Sequence, residues 1–342
     1  MQNRTIQKDL SEFEKILDGA SHLLIIVHTN PDPDAIASAL ALKHIVDKQY
    51  GIETSIGYSG TVARAENRAM VRELKVQMKQ LSKINWSKYD RIALVDTQPG
   101  AGNNALPENI HCNIVLDHHP PRTGGKADLT IIQPELGVLA TMLVEWLDYL
   151  NIEIQTNLAT ALVYAISSES QNLNREVQPR DIEAYLQVYN NANLKKLAQI
   201  MVPQLPRQYY ISVDKTLRNA VTYRNLICAH LGEISGAEIV SEMADFLVRH
   251  ERISWSFCTG RFKDRLILSI RSRNSKADAG KLVTKLVKDR KTVGGHGMSA
   301  GGFVAIGEMK NDDIELLENR LRKEFAALLN CDDPEWKNLL GI

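Results

Sequence analysis

Long apolar runs are missing from this chain. None of its 342 residues lies in a stretch near the ~18–20 consecutive apolar residues that a membrane-spanning helix needs. The opening MQNRTIQKDLSEFEKIL is polar and amphipathic, which argues against a secretory signal and for a cytoplasmic protein. Cysteine is scarce: the four are Cys112, Cys228, Cys258 and Cys331, with no C-x-x-C pair among them. That spacing excludes a cysteine-based zinc site and reads as free, buried thiols in a reducing compartment. Net charge is absent, with 41 Lys+Arg against 41 Asp+Glu. A surface-wide binder of long nucleic acid is thereby disfavoured, although a local basic patch is not. Aromatics make up only 6% of the residues, few for a protein that stacks a long single strand.

What is present is an ordinary globular composition, 44% hydrophobic and 24% charged, long enough for about two domains. The first half alternates strand and helix patterns. A helical stripe (Ile6, Leu10, Phe13, Leu17) precedes the apolar run Leu23 to Val27, which suits a strand buried on both faces. A helix from Ala35 to Val46 follows, then a strand near Glu53 to Tyr58 and a charged helix around Arg64 to Leu81. Ile92 to Val95, Asn113 to Leu116 and Leu129 to Ile132 read as further strands, and helices fill 137–190. This order predicts an α/β fold whose N-terminal domain holds a mostly parallel five-stranded sheet flanked by helices. A polar helical stretch with Pro203 and Pro206 reads as a linker over 191–218. A smaller α/β domain over 219–342 follows, with a hairpin turning at Lys263-Asp264, a helix over 278–290, a glycine-rich loop over 294–302 and a helix near 314–329. The last segment, 330–342, fits docking on its own domain or on a partner.

Charge is uneven within that second domain. Residues 251–300 carry twelve Lys/Arg and four Asp/Glu, whereas 301–342 carry five and nine. Lys281, Lys285 and Lys288 read as a solvated helix face. Arg271 and Arg273 end a strand pattern just before the glycine-rich loop, where they suit an anion.

Chemistry concentrates where the strands of the first domain should end. His28-Thr-Asn-Pro-Asp32-Pro-Asp34 follows one strand, Asp96 a second, and Asp117-His118-His119 a third; Glu169 ends a helix. Alone, Asp34 reads as a helix cap and His28 as a structural histidine. Together they form a different object, because ligands of an open parallel sheet bind beyond its carboxyl edge. Four carboxylates gathered there would repel one another severely without cations. A mixed carboxylate–imidazole set suits Mn²⁺, Fe²⁺ or Zn²⁺ better than Ca²⁺.

The pattern His28-x-x-x-Asp32-x-Asp34-Ala, Asp96 and Asp117-His118-His119 resembles the first three motifs of the DHH phosphoesterase superfamily. Gly294-Gly-His-Gly-Met-Ser-Ala-Gly-Gly302 resembles the G-G-H-x-x-A-x-G signature of that family's associated C-terminal domain. Order and spacing match from about residue 20 to 305, closest to the two-domain branch of oligoribonucleases, pAp phosphatases and pApA phosphodiesterases. The resemblance implies a metal-dependent phosphodiesterase with two ions, most often Mn²⁺, with Mg²⁺, Co²⁺ or Fe²⁺ as substitutes. It implies that His28, Asp32 and Asp96 hold one ion and Asp34, Asp96 and His118 the other. It further implies that Asp117 orients the histidines, His119 meets the substrate phosphate, and Gly294, Gly295 and His296 cradle a terminal phosphate across a cleft. Arg271 and Arg273 join that substrate set. Implied substrates are short oligonucleotides, pApA or pAp, without a membrane partner; a homodimer is compatible with the branch. The fourth motif departs from the family: an Asp is usual in G-I-x-x-D-T, whereas this chain has Ala165-Ile-Ser-Ser-Glu169-Ser170, so that Glu169 is the expected metal ligand there, directly or through water, with a reach one methylene longer. Ala37 also stands where a glycine is frequent. Three other readings stand beside this one: a single-strand exonuclease, a pyrophosphate or polyphosphate hydrolase, and a catalytically impaired nucleotide binder.

Overall fold

The computed structural model describes residues 2–122, 124–170, 173, 177–289 and 292–341. The chain divides into two units, Met1–Gln204 and Leu205–Ile342, so the break falls inside the segment read as a linker. Its two halves go separate ways. The helix over Leu194–Met201 packs on the helices of the first unit, and the helix over Arg207–Asn219 packs on the sheet of the second. No described helix is long and apolar enough to cross a membrane.

The first unit is built on strands β1 (His22–Val27), β2 (Glu53–Tyr58), β3 (Lys79–Gln80), β4 (Arg91–Val95), β5 (Cys112–Asp117) and β6 (Ala127–Ile132). All pair in parallel, in the order β3-β2-β1-β4-β5-β6. Helices α1 (Gln2–Leu17), α2 (Pro33–Ile45), α3 (Ala65–Leu74), α4 (Leu139–Tyr149), α5 (Thr156–Glu169), α6 (Pro179–Tyr189) and α7 (Leu194–Met201) surround the sheet. Central β1 is buried on both faces: Leu23, Ile25 and Val27 enter one core, Leu24 and Ile26 another. An alternating pattern would have left one face polar; the continuous apolar run does not. Helix α2 is apolar on nearly every side because it lies inside a second layer, packed on β1, α4 and α5.

Two expectations change in this unit. The sheet has six strands, the sixth being the two-residue β3. The charged helix ends at Leu74 rather than Leu81, because Lys75 adopts a left-handed conformation (φ +55°) and turns the chain into β3. No glycine marks that stop, so the sequence gives no sign of it.

The second unit adds α8 (Arg207–Asn219), β7 (Val221–Tyr223), β8 (Leu226–Glu233), α9 (Glu238–Leu247), β9 (Trp255–Phe262), β10 (Arg265–Ser272), α10 (Ala279–Leu286), β11 (Val293–His296), β12 (Ser299–Ala305), α11 (Asn311–Leu328) and β13 (Lys337–Asn338). Its mixed sheet runs β11-β12-β10-β9-β8-β7-β13. One face packs on α10 and α11 through Cys228, Phe257, Leu268 and Phe325; the other packs on α9 through Ile227, Cys258, Val240 and Met243. The four cysteines are free and buried, and Lys281, Lys285 and Lys288 are exposed.

The glycine-rich stretch is not a loop. It is the hairpin β11–β12, turning at Gly297-Met298. Glycine is poor strand material in general, yet here it is required. Gly295 and Gly302 have φ of +154° and +152°, and a Cβ would lie 2.4 Å from the Ser299 carbonyl oxygen and 2.2 Å from that of Thr292. The C-terminal segment docks on its own unit: Lys337-Asn338 pairs with Val221-Thr222, and Trp336 meets Tyr223 edge-on at 6.1 Å.

Candidate metal centre

The strand order reverses direction between β1 and β4. A crevice opens at such a switch point, beyond the carboxyl ends of the strands. His28 follows β1 and Asp96 follows β4, so topology alone makes them neighbours.

His28 and His118 are held alike. A carbonyl oxygen can only accept, so the contacts of His28 Nδ1 with Thr29 O (3.1 Å) and of His118 Nδ1 with Leu136 O (3.2 Å) place the proton on Nδ1 in both. Each ring therefore turns Nε2 toward carboxylates. His28 Nε2 lies 3.2 Å from Asp32 Oδ2 and 3.6 Å from Asp96 Oδ2. His118 Nε2 lies 3.4 Å from Asp96 Oδ1 and 3.6 Å from Asp34 Oδ2. Outer hydrogen bonds that fix ring orientation in this way are the usual support of metal-ligating histidine.

Asp96 sits between the two imidazoles, one carboxylate oxygen toward each. It is almost fully buried and left-handed (φ +60°), a strained conformation for a residue with a side chain. Its backbone N–H is anchored to Leu116 O at 3.0 Å. Among the described residues the buried Oδ1 makes no hydrogen bond, although His118 Nε2 and His119 Nδ1 both stand 3.4 Å away. Ligand atoms of His28, Asp32 and Asp96 lie within 4.8 Å of one another, as do those of Asp96, His118 and His119.

Asp32 and Asp34 come from the start of α2. Asp32 caps the helix, its Oδ1 accepting from Ala35 N at 3.0 Å, with Pro33 in the first turn. Asp34 is buried and accepts from Leu139 N and Ala140 N (both 2.8 Å) and from Ser38 Oγ (3.1 Å). It thus caps α4, a helix whose own cap residue, Val138, has no side-chain acceptor.

Asp117 ties the histidine pair to the loop after β4. Its Oδ1 accepts from His118 N (2.8 Å), His119 N (3.0 Å) and His119 Nδ1 (2.9 Å). Its Oδ2 accepts from Gln98 Nε2 at 2.7 Å. Gln98, Asn103 and Asn104 are site-building residues that the sequence reading overlooked. Asn104 Nδ2 donates to Gln98 O, and Asn103 O accepts from Thr29 N beside His28. The only sequence signal was a run of turn residues after Asp96, which carries no chemistry by itself.

Electrostatics reflect this crowding. Burial works to lower His28, but Asp32 and Asp96 outweigh it and push the ring up to about 10. Burial likewise opposes the carboxylates around His118, which rises to about 9, and around His119, which rises to about 11. Burial raises Asp34 to about 8, with Asp96 adding repulsion. Burial also disfavours the Asp96 anion, yet the surrounding imidazoles hold its carboxyl well below the usual range. Glu169 is exposed at the end of α5, yet desolvation of its carboxyl by the surrounding protein, together with the Asp32 and Asp96 charges, pushes it up to about 7.

In the second unit Arg271 is committed to the fold. Its Nε donates to Asp245 Oδ1 at 2.6 Å and its Nη1 to Ser269 Oγ at 2.8 Å, which fastens α9 to β10. Arg273 is exposed just beyond β10. Gly294 and Gly295 are exposed in β11; the side chain of His296 lies outside the described ones.

Fold and site together define an α/β protein with a carboxylate–imidazole centre at the switch point of a parallel sheet. Residues 22–166 match the model of the DHH family, N-terminal domain. Uncharacterized protein MJ1633 of Methanocaldococcus jannaschii is 33% identical over 326 residues, covering 92% of this chain and 65% of that protein. A probable manganese-dependent inorganic pyrophosphatase of Exiguobacterium sp. is 27% identical over 151 residues, 44% of this chain and 48% of that one. The chain thus spans about two thirds and about half of these relatives' lengths. Among solved structures, an exopolyphosphatase-related protein from Bacteroides fragilis shares the fold, with a TM-score of 0.72 and 16% identity over 94% of this chain and 98% of that one.

Proposed function

We propose that this chain is a metal-dependent phosphoesterase acting on short oligonucleotides or linear dinucleotides such as pApA, with release of nucleoside monophosphates. The position of Asp96 carries the reading. A buried carboxylate whose two oxygens face two Nε2-presenting imidazoles, one oxygen without a hydrogen bond, is a poor structural element and a good shared ligand. The donor set fits divalent ions of the manganese type. His28, Asp32 and Asp96 would hold one ion and Asp34, Asp96 and His118 a second, with Glu169 beside them. When bound, such ions supply Lewis-acid charge and lower the pKa of water.

The chain's own residues orient and protonate. Asp117 fixes the His119 ring through Nδ1, which directs Nε2 to the substrate. Against the lowering effect of burial, the Asp117 and Asp96 carboxylates raise the His119 pKa, and a protonated His119 would be a proton donor for a phosphoryl or leaving oxygen. Gly294 and Gly295, exposed in the edge strand β11, would give the second unit a backbone stretch without side chains for a terminal phosphate.

A comparison of substrates in Mn²⁺ tests this: pApA, (rA)5, pAp, a 30-nucleotide single strand and pyrophosphate, each beside a His118→Ala control. The expected result is AMP from pApA and (rA)5, abolished in the variant. Turnover of pyrophosphate alone would favour the second reading, a phosphoanhydride hydrolase, which the pyrophosphatase relatives support. No turnover of any substrate, with nucleotide binding intact, would leave a binding protein.

A further inference from the structure

The sheet of the second unit has an open face beside β11. Register pairs Gly294 with Gly301, Gly301 with Ser269, Phe303 with Ile267, and Arg265 with both Ala305 and Phe262. Paired residues share a face, and this one is opposite the core-forming Leu266, Leu268, Ile270 and Ala300. Helix α9 packs over β9 and β10. Toward β12 the face comes to the surface: Gly294, Ala305 and Arg265 are exposed, and Phe303, Ile267 and Phe262 are only partly covered.

Aromatic rings and cations interleave there. The Arg265 guanidinium carbon lies 4.2 Å from the Phe303 ring centroid, and Lys263 Nζ lies 5.2 Å from that of Phe262. Of the six phenylalanines, Phe13, Phe257 and Phe325 fill cores, whereas these two lie on the open face. Arg265 and Lys263 supply the cations here, whereas Arg271 on the same face is held by Asp245 and Arg261 lies on the opposite face with Leu266.

Gly294 adds a separate clue. Its φ is not left-handed, and among the described residues nothing lies within 4 Å of where its Cβ would be. Neither the backbone conformation nor a described neighbour asks for glycine, which weakens a strand. The missing side chain instead lets something outside the sheet approach the backbone.

We propose that this face is a nucleobase-stacking platform: a base of a short single-stranded nucleic acid stacks on the Phe303–Arg265 pair while its phosphate lies over the bare Gly294–Gly301 ladder. The two spots are two residues apart along β12, about 6.6–6.8 Å. Bases stack readily on aromatic rings and on guanidinium planes, and the cations suit the backbone charge. Inorganic polyphosphate has no π-face and gains nothing from Phe303. One such platform serves a few nucleotides, in keeping with the low aromatic content of the chain. The inference rests on the phosphoesterase reading for the reaction, and it specifies a base-bearing substrate.

Binding in the full chain carrying His118→Ala, which stops turnover, tests it. The probes are (rA)5, (rU)5 and tripolyphosphate; the variants are Phe303→Leu and the exposed Arg265→Gln, with melting temperature as a check on folding. The expected result is (rA)5 binding weakened about tenfold or more by each variant, (rU)5 weaker than (rA)5 throughout, and tripolyphosphate unmoved. If folded Arg265→Gln and Phe303→Leu bind (rA)5 like their parent, the platform is overturned. If the parent binds tripolyphosphate but not (rA)5, the platform and the oligonucleotide reading fall together. If the variants lose (rA)5 but the His118-intact chain does not cleave it in Mn²⁺, the platform stands and the catalytic reading falls.

Discussion

Gln98 and Asp117 are joined side chain to side chain at 2.7 Å, both buried. Gln98 Nε2 also donates to Pro120 O at 3.2 Å, and Gln98 Oε1 accepts from Arg122 N at 2.7 Å. One glutamine therefore clamps the loop that follows β5 and fixes the Asp117 oxygen opposite the one that holds His119. Replacing it with leucine removes every one of these bonds without altering a metal ligand. Turnover of Gln98→Leu should fall about 10- to 100-fold while Mn²⁺ affinity stays within a few-fold of wild type, and Gln98→Asn should recover part of the rate. Rate measured beside a Mn²⁺ titration decides this. Parallel loss of both would reduce Gln98 to a folding role.

Asp34 has two duties. Besides facing His118 it accepts the N–H groups of Leu139 and Ala140, so Asp34→Ala leaves the start of α4 without its acceptor. We expect urea denaturation of the metal-free protein to show a loss of about 1–3 kcal/mol for Asp34→Ala. Ser38→Ala, which removes a single buried bond to the same carboxylate, should cost about 1 kcal/mol. Equal stability of Asp34→Ala and wild type would refute the capping role.

Acidity and metal binding should be coupled. The native pKa values of Asp34 (about 8), Glu169 (about 7), His28 (about 10), His118 (about 9) and His119 (about 11) all lie above the ordinary values of 3.8, 4.5 and 6.5. Each group contributes stability that is complete below its unfolded pKa and lost as pH rises through the native one. The window therefore runs from about pH 4 to 8 for the carboxyls and about 6.5 to 11 for the imidazoles. Asp96, shifted downward, delivers its contribution in full above about pH 5 and offsets none of this loss. Metal-free protein should melt lower at pH 8.5 than at pH 5.5, and Mn²⁺ should raise the melting temperature more at the higher pH, because binding displaces these protons. A melting temperature of the metal-free form that climbs between those pH values would contradict the assignment.

Much of the first unit was legible in the sequence, for a physical reason. Strands such as Leu23 to Val27, buried on both faces, must be continuous apolar runs, and the residues ending them must fall on one edge. His28, Asp32, Asp96 and His118 could thus be grouped from order alone. Contacts without periodicity or motif were not legible. Gln98 acts through a loop whose shape no local pattern specifies, and the cap that Asp34 places on α4 joins residues more than a hundred positions apart. The hairpin β11–β12 was misread because glycine weighs against a strand, whereas backbone approach at Gly295 and Gly302 decides the matter. Arg271 suited an anion by position, and only tertiary structure shows its guanidinium on Asp245.

The most direct test is to grow crystals in Mn²⁺ and measure anomalous scattering at the manganese edge. Two peaks are predicted, one among His28, Asp32 and Asp96 and one among Asp34, Asp96 and His118, both lost in Asp96→Asn. Crystals that bind no manganese at Asp96 would contradict the account at its base, since every step assigned to His119 and Asp117 depends on a charged centre beside them.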